Sequence, residues 1–370
     1  MSGILGKLRT NGTQRPRKFS FAFYLWAALA YALGIFLMTL LIKVAFSGRE
    51  LTQQAVHNGQ RAVITIASGT VEGGGLPASN VVNPETHTQP VKTLPSAPQT
   101  PDKQGMMPVP LESLVEMTDK GALPIVGPDG TQPWKYYSRP AGVKAQLPMV
   151  AIVFTNLGLN ESQTQDVLKL PPEFTLGFSP YANDSGKIAF RARRDGFESV
   201  VDLPIQTFDY PFSDPGMFGL MEDLSPDENI RRLHQVLYQF PGYIGMLASV
   251  GETMTSNKEE IKPYLVELKK RGLLFLYVKT QKNSDLEDFA KINGFYTLGI
   301  DELIDATPSK GYIENHLQTL VDTAKKQGYA VGLVHSYPPT TAALSAWVDS
   351  LQGQGVVLVP VSTIAKKVLP

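Results

Sequence analysis

The chain contains no cysteine among its 370 residues. This absence excludes disulfide bonds, thiolate metal sites and cysteine nucleophiles, although an exported bacterial domain can do without cysteine. An excess of positive charge is also missing, because 34 basic residues balance 34 acidic ones. Nucleic-acid-binding domains usually carry a basic surface, so we expect no nucleic-acid partner. A phosphate-binding glycine loop, an HExxH motif and a Ser-His-Asp arrangement are absent as well.

One long segment lacks charge entirely. The run from Phe21 to Ile42 holds no charged residue, and about 20 apolar residues are enough to cross a bilayer as a helix. A signal peptide is the alternative, but its apolar core is about 7–15 residues long and ends at a small-x-small cleavage site. The sequence from Lys43 to Ser47 fits such a site poorly. We therefore predict a transmembrane helix at 21–42.

The charges that flank this segment predict its orientation. The basic residues of segment 1–20 have no acidic residue among them: Lys7, Arg9, Arg15, Arg17 and Lys18. Basic flanks stay on the cytoplasmic side of a membrane helix. We expect 1–20 to be a cytoplasmic tail of a single-pass protein in a bacterial inner membrane. The remainder of the chain is then exported, which means the periplasm in a bacterium with two membranes.

Two segments precede the main domain. Residues 43–110 are rich in Pro, Thr, Gly, Ser and Asn, a composition that buries too little apolar surface to offset chain entropy. We predict a disordered linker there. Residues 111–147 form a lead-in segment with an aromatic cluster at Trp134, Tyr136 and Tyr137. This cluster is either a sugar-stacking surface or a segment packed against the domain.

From 148 to 370, apolar strands alternate with amphipathic helices. Some seven βα repeats predict an α/β fold with a parallel sheet, open or closed into a barrel. Functional residues of such folds lie at the C-terminal ends of the strands. The strands are predicted near 149–154, 174–178, 199–203, 243–247, 273–278, 296–300, 330–334 and 356–359.

The strand ends offer few groups for metal chemistry. A hydrolytic metal site uses about three His or carboxylate ligands and a base, and only Asp202, Asp301, Asp305 and His335 follow predicted strands. Each of them has a structural alternative. His335 would only form a hydrogen bond at a turn, Asp202 would cap a loop, and Asp301 and Asp305 would solvate the loop and the helix start after their strand. His234 and His316 lie within predicted helices and are expected to be surface or packing residues.

Several motifs occur in a shared order. They are Val150-Ala151-Ile152-Val153 with Asn156-Leu157-Gly158, Phe208-Asp209-Tyr210-Pro211, Asp214-Pro215-Gly216, Phe240-Pro241-Gly242-Tyr243, and His335 with Tyr337-Pro338. With these motifs the chain resembles the divergent polysaccharide deacetylase family, a branch of the NodB-like carbohydrate esterase superfamily, over about 148–366. The resemblance implies a distorted seven-stranded (β/α) barrel and a zinc-dependent deacetylase ancestry.

The chain departs from the family pattern at the metal site. Where the family has two aspartates after the first strand, this chain has Thr155 and Asn156, and Asp202 replaces a histidine after the third strand. Leu247-Ala248-Ser249 stands in place of an Asn-Asn-His group, and Tyr277-Val278-Lys279-Thr280 in place of Asp-Ser-Arg-Thr. Neutral oxygens are poor substitutes for the ligands that zinc prefers.

We therefore predict a membrane-anchored, catalytically degenerate member that binds envelope polysaccharide or an envelope protein. Asp202, His335 and Asp305 are the candidate catalytic residues, and Asp202 and His335 are weak candidates for metal ligation. No cofactor is expected, except zinc if the metal site survives. The alternative is a metal-dependent deacetylase that uses Asp202, His335 and an unrecognised ligand.

Overall fold

The computed structural model describes residues 105–142 and 147–369. The predicted membrane helix at 21–42 and most of the predicted linker lie outside these residues. Within the described ranges, no helix is both long enough and apolar enough to cross a membrane. Membrane anchoring therefore stays a prediction from the sequence.

The described chain forms a small hairpin and one large parallel sheet. The hairpin pairs β1 (Val115–Thr118) with β2 (Gly121–Pro124) in antiparallel register. Eight strands of the large sheet follow the order β8-β7-β6-β5-β4-β3-β10-β9, and β11 pairs with β3 off this path. The strands are β3 (Met149–Leu157), β4 (Thr175–Phe178), β5 (Glu198–Leu203), β6 (Gly245–Ala248), β7 (Leu274–Val278), β8 (Thr297–Ile300), β9 (Glu302–Leu303), β10 (Tyr329–Val334) and β11 (Val357–Leu358).

The sheet closes through the segment that contains β8 and β9. β8 pairs with β7, whereas β9 pairs with β10. Between them, the Asp301 backbone N–H donates to the Val331 carbonyl at 2.8 Å, and Asp301 Oδ2 accepts from the Val331 N–H at 2.9 Å. Segment 297–303 thus acts as one strand between β7 and β10. The predicted seven-stranded α/β barrel is confirmed.

The barrel is distorted where its first two strands part. β3 pairs with β4 only from Val153 onward, and β11 pairs instead with Met149 and Val150 near the start of β3. The last strand therefore fills the gap between β3 and β4 at the N-terminal ends of the strands.

Helices connect the strands and cover the barrel. Their bounds are α1 (Pro133–Tyr136), α2 (Glu161–Val167), α3 (Ser185–Arg194), α4 (Pro226–Leu237), α5 (Lys258–Lys270), α6 (Leu286–Asn293), α7 (Lys310–Gln327), α8 (Pro338–Gln354) and α9 (Val361–Val368). The predicted start of α4 is confirmed, because the Ser225 side chain accepts from the Glu228 N–H and Pro226 occupies the first turn. The sequence did not predict α8 and α9.

The lead-in segment packs across the N-terminal ends of the strands. Trp134 is fully buried and Tyr137 is 1% exposed. The Trp134 backbone N–H donates to the carbonyl of Gly272, just before β7, at 3.0 Å. Gln132 Nε2 donates to the hydroxyl of Tyr296, just before β8. Of the two interpretations of this aromatic cluster, packing against the domain is therefore correct.

Two buried arginines fix this segment to the barrel. Arg193, at the end of α3, donates to the carbonyls of Met107 at 2.6 Å and Tyr137 at 2.9 Å. Arg271, after α5, contacts Glu267 at 2.8 Å and Glu116 of the hairpin at 3.1 Å. The predicted linker boundary at residue 110 is wrong for 105–110, because Met106 is 1% exposed and its neighbour is held by Arg193. Apolar Met106 and a charge-assisted hydrogen bond supply the packing that composition alone did not indicate.

A buried carboxylate joins the ends of the domain at the same face. Glu198 accepts from Thr175 Oγ1 at 2.9 Å, from the Ser362 N–H at 3.1 Å and from the Arg139 N–H at 3.0 Å. The Ser362 hydroxyl donates to it as well. With its oxygens occupied, Glu198 has a structural role and ties the lead-in and α9 to β4 and β5.

Candidate functional site

A cleft of about 280 Å³ opens at the opposite, C-terminal ends of the strands. Residues at and beyond the C-terminal ends of β3, β4, β5, β6 and β10 meet there, where chemistry is expected in a parallel barrel. The lining consists of Thr155, Asn156, Ser179, Pro180, Tyr181, Asp202, Pro204, Ile205, Thr207, Ser213, Pro215, Leu247, Ser249, Val250 and His335. Two of the three candidate catalytic residues, Asp202 and His335, therefore lie in one cleft.

Asp202 is a nearly buried carboxylate at the cleft floor, with 8% of its surface exposed. Its Oδ2 accepts from the Asn156 backbone N–H at 2.7 Å, whereas Oδ1 has no hydrogen-bond partner. Burial raises the pKa of Asp202 to about 7, although the Asn156 N–H, the nearby Thr155 hydroxyl and the charge of His335 each lower it. The Thr155 hydroxyl is close, but it does not complete a hydrogen bond to Oδ1.

Asn156 explains how Asp202 is held. Among the described residues, it alone combines a side chain with a positive φ, at 61°, a conformation that asparagine tolerates better than most residues. This turn aims the Asn156 N–H at Asp202 and leaves the Asn156 side chain exposed. Such backbone conformations are concentrated at functional sites.

His335 is oriented by Asp305. His335 Nδ1 lies 2.9 Å from Asp305 Oδ1, and the His335 backbone N–H donates to Asp305 Oδ2 at 2.8 Å. Thr340 Oγ1 of α8 donates to the same Oδ2 at 2.9 Å. Asp305 is 1% exposed and does not line the cleft. The closing strand places Asp305 behind the imidazole, where its oxygens are occupied; its assignment as a third catalytic group stays a prediction.

The remaining ionisable candidates take part in structural pairs. Asp301 pairs with Lys279 at 2.9 Å. His234 of α4 contacts Glu267 of α5 at 2.8 Å, and His316 of α7 contacts Glu302. None of these side chains lines the cleft, in agreement with the expected packing role of the two histidines.

An aromatic rim beside the cleft was not recognised from the sequence. Tyr181 stacks on Phe218 with ring centroids 5.2 Å apart, and its hydroxyl donates to the Pro215 carbonyl at 2.5 Å. Gly216 has a φ of +81°, and a Cβ there would lie 2.8 Å from the Tyr181 hydroxyl. The Asp214-Pro215-Gly216 motif was the available signal, because its turn holds Tyr181 at the cleft.

The loop that carries this turn exposes more apolar surface. Phe212 is 95% exposed and Met217 is 74% exposed. Phe208 is covered on one face by Lys282, whose Nζ lies 3.8 Å from the ring centroid. Exposed apolar groups that cluster beside a cleft indicate an interaction surface.

The donor set of the cleft does not fit a zinc site. A catalytic zinc takes three protein ligands, drawn from imidazole, thiolate and carboxylate. In the described part of the chain, no group of three or more His, Asp and Glu residues is placed to hold a metal ion. Around Asp202 and His335, the cleft offers the neutral oxygens of Thr155, Asn156 and Ser249.

Comparisons with known proteins agree with this architecture. A sequence model of the family described as divergent polysaccharide deacetylase matches residues 152–365. The chain is 23% identical over 204 residues to the uncharacterized protein YibQ of Escherichia coli (strain K12), covering 55% of this chain and 63% of that protein. It is 22% identical over 202 residues to an uncharacterized protein of Haemophilus influenzae, covering 55% of this chain and 71% of the other.

A solved structure extends the comparison to the fold. The crystal structure of an uncharacterized protein from Agrobacterium tumefaciens C58 matches with a TM-score of 0.63 and 32% identity, and the match covers 66% of this chain and 99% of that one. The family match spans more than half of the chain. The chain therefore belongs to the divergent polysaccharide deacetylase family.

Proposed function

We propose that this family member does not remove acetyl groups and instead uses its cleft to bind envelope glycan. One observation carries the proposal: the strand ends that meet at the cleft supply only one imidazole and one carboxylate, His335 and Asp202. Metal-assisted hydrolysis needs a fixed metal that activates water, and two such ligands fall short of the usual three.

The composition of the cleft favours a glycan ligand. Hydroxyl and amide groups of Thr155, Asn156, Ser179 and Ser249 line it and can pair with sugar hydroxyls. Tyr181 is 39% exposed at its edge. Aromatic rings combine an apolar face with a polar tip, and the apolar face suits the C–H face of a sugar ring.

The sequence supports a location at the cell envelope. The uncharged run at 21–42 is long enough to span a bilayer, and the basic segment before it favours a cytoplasmic N-terminus. In this proposal the barrel lies in the periplasm, tethered to the inner membrane, where it meets envelope polysaccharide.

Two measurements on the purified full-length protein test the proposal. We expect no acetate release from acetylated chitooligosaccharide or peptidoglycan above that of a protein-free control, with or without added zinc. We expect glycan binding to persist in the presence of a chelator. Metal-dependent acetate release that is lost in His335→Ala and retained in His316→Ala would refute the proposal. His316 is a matched control because it also pairs with a carboxylate but lies outside the cleft.

One observation favours the alternative, a metal-dependent deacetylase. A histidine backed by a carboxylate is the arrangement that orients a metal-bound or acid–base imidazole, and His335 with Asp305 has this form. The same acetate assay separates the two functions, because only the hydrolase releases acetate in proportion to bound metal.

A further inference from the structure

The lining of the cleft contains no lysine or arginine, and its ionisable side chains are Asp202, His335 and Tyr181. The rim adds the exposed Asp209 and Asp214, together with two basic groups, Lys282 over the Phe208 ring and Arg232 near Tyr181. A ligand group at the cleft floor therefore meets a carboxylate and hydrogen-bond acceptors, and these basic side chains act at the rim.

The buried Asp202 carboxylate has one oxygen without a hydrogen-bond partner. Its Oδ1 is buried and receives no hydrogen bond, and a buried carboxylate is costly unless it is paired. On the neighbouring strand, Gly177 offers no side chain, and a Cβ there would lie 2.8 Å from Oδ1 and 2.4 Å from the Phe154 carbonyl oxygen. Apart from the nearby Thr155 hydroxyl, which does not complete a hydrogen bond, the described residues offer this oxygen no donor.

His335 supplies a second acceptor when its imidazole is neutral, and it lowers the pKa of Asp202 when the imidazole is charged. When Nδ1 donates its proton to Asp305 at 2.9 Å, Nε2 of the neutral imidazole has a free lone pair. An ammonium group has three N–H donors and no acceptor, whereas an acetamide offers one N–H and a carbonyl that itself needs a donor. The two acceptors suit the ammonium better.

We infer that the cleft selects a glycan unit with a free ammonium group, a de-N-acetylated amino sugar, and that the Asp202 carboxylate is its counter-charge. The inference rests on the proposed glycan-binding function and specifies its ligand. Tyr181, at the cleft edge, adds a ring face of the kind that attracts cations. Asp202 and His335 are too few to bind a zinc ion, and the ammonium group is the cation that they bind instead.

The test is calorimetric titration of the full-length protein with two hexamers, one of β-1,4-linked glucosamine and one of β-1,4-linked N-acetylglucosamine. At pH 7.5 we expect the glucosamine hexamer to bind at least about tenfold more tightly.

Two variants complete the experiment. Asp202→Asn should lose the preference for the glucosamine hexamer, whereas Asp195→Asn, the same change at an exposed position after α3, should keep it. If Asp202→Asn does not fold, the comparison of the two hexamers on the wild type provides the test. Equal or tighter binding of the acetylated hexamer would overturn the ammonium inference and leave glycan binding intact. Binding of neither hexamer would refute both.

Discussion

Asp202→Asn should make the stability of the protein less dependent on pH. Burial raises the pKa of this carboxyl from its ordinary value of 3.8 to about 7. At about 1.36 kcal/mol per unit, the folded state favours the protonated carboxyl by about 4 kcal/mol. Asparagine keeps an oxygen for the Asn156 N–H and cannot ionise.

The direction in which stability changes with pH follows from the number of protons bound by the folded and unfolded states. Between pH 3.8 and about 7 the folded protein holds a proton on Asp202 that the unfolded chain has released, so stability falls as the pH rises through this window. From pH 5 to pH 8 the wild type should lose roughly 3 kcal/mol of stability through this group. The variant should lose none of it.

Urea denaturation at several pH values measures this difference. Trp134 is fully buried, so its fluorescence reports unfolding of the barrel. Other titrating groups cancel when the free energies of unfolding of wild type and Asp202→Asn are subtracted, and Asp195→Asn serves as the control for loss of an exposed charge. A wild-type-minus-variant difference that stays constant from pH 5 to pH 8 would refute the argument, since it would mean that Asp202 ionises as it does in the unfolded chain.

Four further outcomes are expected. Added zinc should barely change the melting temperature. An intact three-ligand site would instead stabilise the folded protein by about 2.7 kcal/mol at a hundredfold excess of zinc over Kd. A large zinc-dependent rise in melting temperature would favour the alternative function, a metal-dependent deacetylase. Gly177→Ala should destabilise the barrel by about 1–3 kcal/mol, because its Cβ would lie 2.4 Å from a backbone oxygen, whereas Gly353→Ala, with open space around it, should not. A reporter that is active only outside the cytoplasm should be active when fused after Pro370; activity of a cytoplasm-only reporter would reverse the predicted orientation. Limited proteolysis should cut between about 73 and 104 and spare 105–142, since Arg193 and Arg271 fix that segment; cleavage confined to the barrel would contradict this.

The barrel was predictable because the sequence patterns that indicate its strands are local. A strand such as Met149–Leu157, buried along nearly its whole length, shows as a continuous apolar run. The missed helix α8 begins with two prolines and contains threonine, serine and glycine, so its pattern resembles a loop. Proline in the first turn is nevertheless compatible with a helix.

The site was predictable only in part. Asp202 and His335 each lie at the C-terminal end of a strand, where functional residues of parallel α/β folds are expected. This expectation identified both residues. The role of Asp305 depends on how segment 297–303 closes the barrel against β10, a pairing across 30 residues that no local pattern encodes. The position of Tyr181 depends likewise on the turn at Gly216, far along the chain.

The lead-in segment and the cleft lie at opposite ends of the barrel. Residues 105–142 contact positions at or just before the starts of β5, β7 and β8, whereas the cleft is built from positions at and beyond the ends of β3, β4, β5, β6 and β10. The arginine contacts that fix the lead-in segment therefore lie at one end of the barrel, and none of residues 105–142 lines the cleft at the other end. A ligand that is longer than the cleft can extend beyond it without displacing the lead-in segment.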